Sequence, residues 1–470
     1  MLDSRVVFAE GALFHRVLIA NRGEIAARVM RACRELGIEA VAVHSEADAG
    51  APWLAAATRT VCIGPAPASR SYLNADAVLQ AAEQTEAGAI HPGYGFLSEN
   101  AVFAARCAQH GIAFIGPGPE AIRRMGDKLG AKRTMSAASV PVIPGSLEPL
   151  ASVAHATELA AKVGYPVLLK ATAGGGGKGM RRCDDTKELA SAFAEASLEA
   201  EKAFGNAELY LEKFLDGGRH IEFQILADAY GNAVHLGERE CSIQRSHQKL
   251  VEESPSPALD ASERALLGER AARAAASFGY GNAGTLEFLR AADGAMYFME
   301  MNTRLQVEHP VTEMVTGIDL VKAQLAIAAG TPLSLRQSDV IQSGHAIELR
   351  INAEDPDRGF RPDPGLVRTV TAPSVLRPGA TVRWDAGVAS GWRVPPHYDS
   401  LIGKLIVHAP TRAEAIAASQ EALRSLRVEG IKTTIPLHQR LLDDEAFARG
   451  DYDVQHLARR GLVAPAIAGA

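Results

Sequence analysis

The chain has 470 residues, a formal net charge of -6 and a pI of about 6.2, with 47% hydrophobic and 22% charged residues. That is the composition of a globular protein with room for two or three domains. No long basic stretch and no run of about 18 apolar residues occurs, which excludes a nucleic-acid binder and a membrane span of the usual kind.

Five cysteines, Cys33, Cys62, Cys107, Cys183 and Cys241, form an odd set without CxxC spacing. This argues against a disulfide framework or a structural zinc site and suits a reducing compartment. The opening MLDSRVVFAEGALFHR lacks a signal-peptide pattern, so a cytoplasmic protein is expected.

After an extension over 1–13, strand-like VLIA (17–20) leads into a helical stretch and then strand-like AVAV (40–43). Ile25, Val29, Cys33 and Leu36 recur there at helical spacing. The alternation continues through AIHPGYGF and IAFIG, which predicts a doubly wound parallel-sheet domain over 14–115. The opening carries no GxGxxG, so a dinucleotide site has no support. A linker over 116–141 ends in the Pro/Gly-punctuated VPVIPGS, and 142–214 reads as a small inserted α/β lid domain. Strand-rich sequence then dominates a large antiparallel-sheet domain over 215–457, with a C-terminal region from about 344 and a small-residue tail over 458–470.

Two segments carry chemistry. KATAGGGGKGM (170–180) follows an apolar strand and sets four glycines between Lys170 and Lys178. Glycine backbone can approach an anion without Cβ obstruction, so a phosphate cradle is favoured over a flexible linker. The spacing is not that of a Walker loop.

GTLEFLRAADGAMYFMEMN reads as a hairpin turning on Asp293-Gly294. A two-residue turn there places Glu287 directly opposite Glu300. Like charges so placed repel, and two oxygens on neighbouring strands suit Mg²⁺, with Asn302 as a third ligand. Continued alternation puts Glu300, Asn302, Arg304, Gln306 and Glu308 on one side of an extended segment. Arg304 offers a planar fork for a small carboxylate-like anion, and Glu308 a general base. A solvated strand face is the competing reading of both patterns.

From Val17 to Gly461 the words IANRGEIAARVMRAC, HPGYGFLSEN, KATAGGGGKGM, ERECSIQRSHQK, MEMNTRLQVEHPVTEMVTG, RINAED and YDSLIGKL follow in order. On these the chain resembles biotin carboxylases, ATP-grasp ligases that carboxylate biotin with MgATP and bicarbonate. The resemblance implies nucleotide-phosphate contacts at Lys128 and Lys170 and lid glycines at Gly176 and Gly177. It implies adenine recognition along Glu212, Lys213, Phe214 and Leu215, and a nucleotide pocket at His220, Gln244 and His247. The metal positions are Glu287, Glu300 and Asn302, for Mg²⁺ or Mn²⁺ and two ions. Lys249, Arg304, Gln306 and Val307 match the bicarbonate site, Glu308 the general base, and Arg350 the residue that steadies the biotin enolate.

The family pattern QRRHQK is broken by Ser246, which removes a positive charge and puts catalytic strength in question. Carrier domains of the family hold their biotinyl lysine in an A-M-K-M context, and the last methionine here is Met314. The expectation is therefore a biotin carboxyl carrier and a carboxyltransferase in trans, with biotin as carrier-bound substrate, as in acetyl-CoA carboxylase or a related acyl-CoA carboxylase, or else that this is one excised domain of a longer chain. A homodimer is implied through Arg31 and Glu35, whose spacing also allows a simple helical ion pair. The rival readings are a carbamoyl-phosphate synthetase half and a non-catalytic nucleotide-binding module.

Overall fold

The computed structural model describes residues 13–172 and 180–463. Gly176 and Gly177 lie outside the described residues. Five short parallel strands form the first sheet: β1 (Arg16–Ile19), β2 (Glu39–His44), β3 (Arg59–Cys62), β4 (Ala89–His91) and β5 (Ala113–Phe114), in the order β3-β2-β1-β4-β5. Its central strands read as continuous apolar runs because helices cover both faces. Those helices are α1 (Gly23–Glu35), α2 (Ala75–Gln84) and α3 (Ala101–Gln109). Ile25, Val29 and Cys33 of α1 are fully buried, as their spacing predicts. Asn74 and Asn100 cap α2 and α3 by accepting from backbone N–H groups.

The stretch 116–141, expected as a linker, instead holds two helices, α4 (Pro119–Gly126) and α5 (Lys128–Ala137). Pro119 opens α4, and the Asp127 carboxylate caps α5 by accepting from Leu129 N at 3.2 Å. These start signals sit in a segment whose Pro and Gly content suggested a break.

The inserted unit is a three-stranded antiparallel sheet of β6 (Val167–Ala171), β7 (Arg181–Cys183) and β8 (Leu209–Lys213), in the order β7-β6-β8. Helices α6 (Val153–Val163) and α7 (Thr186–Phe204) pack on it around a core of their own.

An eight-stranded antiparallel sheet forms the platform. It contains β9 (Arg219–Ala227), β10 (Ala233–Arg245), β11 (Gln248–Ser254), β12 (Asn282–Arg290), β13 (Met296–Asn302) and β14 (His345–Asn352). The order is β13-β12-β9-β10-β11-β14, continued by Leu401–Ala409 and Thr381–Ala386. Helix α8 (Ala261–Ser277) covers one face, and α9 (His309–Thr316) starts beside β10, β11 and β14. The expected ATP-grasp layout of parallel-sheet domain, small lid and large antiparallel sheet is observed.

Two turns set side-chain placement. Between β10 and β11, Ser246 and His247 both take positive φ, +46° and +66°, with Arg245 opposite Gln248. That is a two-residue type I′ turn, whose twist matches the flanking strands. Between β12 and β13 the expected two-residue turn is not formed. Ala291 N–H donates to Ala295 at 2.8 Å and Gly294 N–H to Ala291 at 2.9 Å, giving a three-residue loop with Gly294 at φ +87°. This shifts Arg290 opposite Met296. An irregularity between Glu287 and Phe288 then shifts it back, with Met299 as the extra residue, so Glu287 does face Glu300.

The first domain is fastened to the platform by buried ion pairs. Arg28 of α1 donates to Glu313 at 2.8 Å and Asp319 at 2.6 Å. Arg31 pairs with Asp385 at 3.2 Å and Glu35 with Lys322 at 2.7 Å, so neither forms the helical pair with the other. Gly387 lies so close to α1 that an added Cβ would stand 2.7 Å from Gly23 Cα and 2.8 Å from Glu24 N. Both obstacles are backbone and cannot rotate away.

Gly387→Ala is therefore expected to cost about 1–3 kcal/mol, the usual penalty of overpacking, read as a lower thermal midpoint. A second expectation concerns pH. Burial holds His91 down to about 3 from 6.5. Between those values the unfolded chain binds a proton that the folded chain refuses, so stability is full above about pH 6.5 and falls as pH drops towards 3. The thermal midpoint should fall between pH 7.5 and 5, and fall less steeply in His91→Asn.

Candidate active site

The platform strands bring acids and bases together at the floor of a cleft, most of them buried. Lys249, near the start of β11, is the hub. Its Nζ donates to Glu222 on β9 at 2.6 Å, Glu287 on β12 at 2.9 Å and Glu308 at 2.7 Å. Burial alone would depress this ammonium, but Glu222, Glu287 and Glu308 outweigh it and hold the group well above its ordinary value. The same contacts act in reverse on Glu308. Burial would raise its carboxyl, yet Lys249, Arg350 and Arg239 hold it well below the carboxylate range.

Glu308 is also bonded from the other side, by Arg350 of β14 at 2.9 Å. Arg350 donates through Nε to Glu252 at 2.7 Å. Beneath Lys249 lies Arg239, fully buried on β10, donating to Glu222 at 2.6 Å, Gln224 at 2.7 Å, and Thr285 and Thr312 at 3.1 Å each.

The row expected to be extended from Glu300 to Glu308 is not. Strand β13 ends at Asn302, the chain turns, and Glu308 becomes the residue before α9, whose Pro310 lies in the first turn. Thr303 N–H donates to Glu99 Oε1 at 3.0 Å, which pulls the chain off the sheet. The side chains still converge. Arg304 donates to Glu99 at 2.7 Å, Gln306 at 2.6 Å and Asn302 at 2.9 Å. Gln306 and Asn302 both donate to Glu287, at 2.8 and 2.7 Å. The Val307 carbonyl accepts from fully buried Lys404 at 2.7 Å.

Glu287 and Glu300 are opposed as expected, with Thr285 opposite Asn302. Their states differ. Lys249 and His220, whose Nε2 is 3.0 Å away, more than offset burial at Glu287 and hold it low. Glu300 opens to the cleft, and its enclosure by protein, then the Glu287 charge, push it up. A divalent cation bridging the two would relieve that repulsion, so the donor set fits Mg²⁺ or Mn²⁺. The Asn302 amide donates to Glu287 through its nitrogen and accepts from Arg304 through its oxygen, whose second lone pair is left for a ligand role.

A second cluster faces the lid. Glu212 of β8 accepts from Lys170 at 2.6 Å and Lys132 at 3.0 Å, and these two cations more than offset burial in holding it low. Burial and Lys170 depress Lys128, the first residue of α5. Lys213 N–H donates to Pro144 at 2.8 Å and Phe214 N–H to Pro166 at 3.1 Å, while the Lys213 ammonium binds the carbonyls of Gly164 and Tyr165. Leu215 follows Phe214, beyond the end of β8 at Lys213. Gln244 lies opposite Lys249, and His247 stands exposed at the turn with Ser246. Sequence reasoning missed Glu99, Lys132, Glu222, Arg239, Glu252, Glu348 and Lys404. The charge-dense GERE and VEES were a signal, since both lie in strands with apolar neighbours.

A family model described as the biotin carboxylase N-terminal domain matches residues 13–122, and one described as the biotin carboxylase C-terminal domain matches 348–459. The chain belongs to the biotin carboxylase family. Between them, a model described as the ATP-binding domain of the carbamoyl-phosphate synthase L chain matches 127–336. The central part is thus shared with the rival ligase, while both flanks are those of biotin carboxylases. Over 438 residues the chain is 55% identical to the biotin carboxylase of Nostoc, covering 93% of this chain and 97% of the relative. It is 51% identical to that of Haemophilus influenzae over 449 residues, 95% and 99% of the two chains.

The biotin carboxylase domain dimer of Hydrogenobacter thermophilus 2-oxoglutarate carboxylase, in complex with MgADP, ADP and bicarbonate, superposes with a TM-score of 0.90 at 46% identity, over 96% of this chain and 98% of that one. A Campylobacter jejuni biotin carboxylase in a β-γ-ATP complex gives 0.90 at 48%, over 95% and 99%. The protein is an ATP-grasp ligase that carries out the ATP-dependent carboxylation of biotin.

Arg239→Met is expected to strand Glu222 as a buried charge with one fewer partner and to cost about 3–5 kcal/mol. A lower midpoint in urea unfolding would register it.

Proposed function

We propose that the Lys249 cluster is the bicarbonate-activating centre of this biotin carboxylase, with Glu308 as its general base. The observation that carries this reading is the position of Glu308 between Lys249 and Arg350. A carboxylate gripped by two cations is fully ionised but a weak base. Bicarbonate accepting from Lys249 and Arg304 draws the Lys249 ammonium towards itself, and the proton affinity of Glu308 rises as the substrate arrives. Glu308 then takes the bicarbonate proton, and the freed oxygen attacks the γ-phosphorus of ATP to give carboxyphosphate and ADP. Gln306 and the Val307 backbone orient the anion, with the Val307 carbonyl pinned by Lys404.

Lys128 and Lys170 are assigned to the nucleotide phosphates. His220, Gln244 and His247 line the nucleotide pocket. Adenine recognition is assigned to the Glu212–Leu215 backbone, at its Leu215 end, because the N–H groups of Lys213 and Phe214 are engaged. Glu287, Glu300 and Asn302 would hold the metal, which when bound neutralises charge on the phosphate oxygens. Lid closure excludes water from carboxyphosphate. The intermediate yields CO₂ and phosphate. The phosphate takes the ureido N1′ proton of biotin, Arg350 steadies the enolate oxygen, and N1′ attacks CO₂.

Biotin is assigned to a carrier protein in trans, with a carboxyltransferase as the consumer of carboxybiotin. A homodimer is supported by the dimeric 2-oxoglutarate carboxylase domain. Arg31 and Glu35 are half-exposed on α1 although each has a partner within the chain. Five unpaired cysteines support a cytoplasmic location, and among the described residues no helix is long and apolar enough to cross a membrane.

ADP release from protein given MgATP and bicarbonate should rise on adding biotin. Glu308→Gln should cut that turnover at least about a hundredfold, the scale of lost general-base catalysis, with nucleotide affinity retained. Equal turnover in the variant would remove Glu308 from the base role.

A further inference from the structure

Four cations, Arg239, Lys249, Arg350 and Lys404, share the interior of the platform with five carboxyls, Glu222, Glu252, Glu287, Glu308 and Glu348. Each cation is committed by its hydrogen bonds. Arg239 and Lys249 serve Glu222, Glu287 and Glu308. Arg350 serves Glu252 and Glu308. Lys404 serves the Val307 carbonyl and Glu24, the latter at 3.1 Å. Glu348 is left over. It is fully buried, and neither of its oxygens accepts a hydrogen bond. A buried carboxylate without a donor costs far more than a buried carboxylic acid.

Its place on the sheet gives this isolation a meaning. Glu348 lies two residues before Arg350 on β14, so both side chains leave the same face of the strand. Glu252 of β11 lies directly opposite Glu348, and Glu252 also has an oxygen that accepts no hydrogen bond. Lys404 lies directly opposite Arg350. An ionised Glu348 would be the nearest same-face anion along the strand and would compete with Glu308 for the guanidinium. It would also repel Glu252 across the ladder.

We propose that Glu348 is a positioning residue that acts through Arg350: it stands as a neutral carboxylic acid, and its neutrality leaves the guanidinium to Glu252 and Glu308, aimed at the reacting centre. Burial pushes the Glu348 carboxyl well above the carboxylate range. The groups that face it are Lys404 from the neighbouring strand, Glu252 from β11, Arg350 on its own strand and Glu308 at the head of α9. Lys404 and Arg350 favour ionisation, Glu252 and Glu308 oppose it, and desolvation decides. Raising the pH strips this proton, turns Arg350 back along β14 and spoils the biotin step before the nucleotide step.

The proposal rests on the assignment of Arg350 to biotin, and the test separates the two. The full chain is assayed from pH 6 to 10 for biotin-stimulated ADP release and for biotin-independent, bicarbonate-dependent ATP hydrolysis, as wild type, Glu348→Gln and Arg350→Lys. Glu348→Gln should move the alkaline limit of biotin-stimulated turnover up by about one pH unit or more, since an amide cannot ionise. It should leave the limit of biotin-independent hydrolysis in place. Infrared spectra of wild-type protein should carry a carboxylic-acid C=O band at neutral pH that Glu348→Gln removes.

An alkaline limit unmoved by Glu348→Gln, or a tenfold loss of biotin-stimulated turnover at neutral pH in that variant, would overturn the proposal. Absence of the infrared band in wild-type protein would overturn it without any variant having to fold. Arg350→Lys is the control on the underlying assignment. If it spares biotin-stimulated turnover, the assignment of Arg350 fails whatever Glu348 does.

Discussion

One ammonium group holds the buried acids of the platform together. Glu222, Glu287 and Glu308 come from β9, from β12 and from the residue preceding α9, and all three are buried. Three carboxylates cannot share such a volume unless a cation sits between them, because the desolvation of each charge must be offset within hydrogen-bond distance. Lys249 meets all three within 2.9 Å. Arg239 below and Arg350 above complete a stack of positive charge whose members come from adjacent or near-adjacent strands of one sheet. Since the sheet fixes the strands, the charges arrive with little freedom left to lose.

The first domain is not a passive neighbour of this stack. Glu24, at the start of α1, accepts from Tyr94 and from Lys404, and Lys404 in turn fixes the Val307 carbonyl. A single buried chain of contacts thus runs from the first domain to the Val307 peptide that precedes Glu308. Arg28 makes a parallel link through Glu313 to α9. The inserted unit is different. It has its own core, and its Glu212 accepts from Lys132 of α5 as well as from its own Lys170.

Much of this was legible in the chain. The apolar runs of β1 and β2 and the helical spacing of Ile25, Val29 and Cys33 gave the first domain. The alternation around Asp293-Gly294 gave Glu287 opposite Glu300. The extended row from Glu300 to Glu308 was wrong beyond Asn302, because a partner distant in sequence, Glu99, draws Thr303 off the strand. Glu222, Arg239, Glu252 and Glu348 escaped notice for a related reason. A charged residue at period two looks like a solvent face, and only the element that covers a sheet decides whether that face is wet. Here α9 and the segment 303–308 that leads into it cover it, and neither announces itself in the strand sequences. Ser246, the one break in the family pattern, lies exposed at the tip of the β10–β11 turn. The lost arginine charge therefore belonged to the rim of the site and not to its buried stack.

The β12–β13 hairpin sets Glu287 opposite Glu300 by two one-residue departures that cancel, a three-residue loop at Ala292–Gly294 and a bulge at Met299. Glu287 and Glu300 are consequently coupled to the length of the chain between them as well as to its composition. Losing the extra residue Met299 alone would carry Glu300 and Asn302 to the opposite face of the sheet, away from Glu287, whereas the loop at 292–294 can shorten to two residues with Ala291 still opposite Ala295. Chain length in this hairpin is therefore constrained at the bulge and free at the turn.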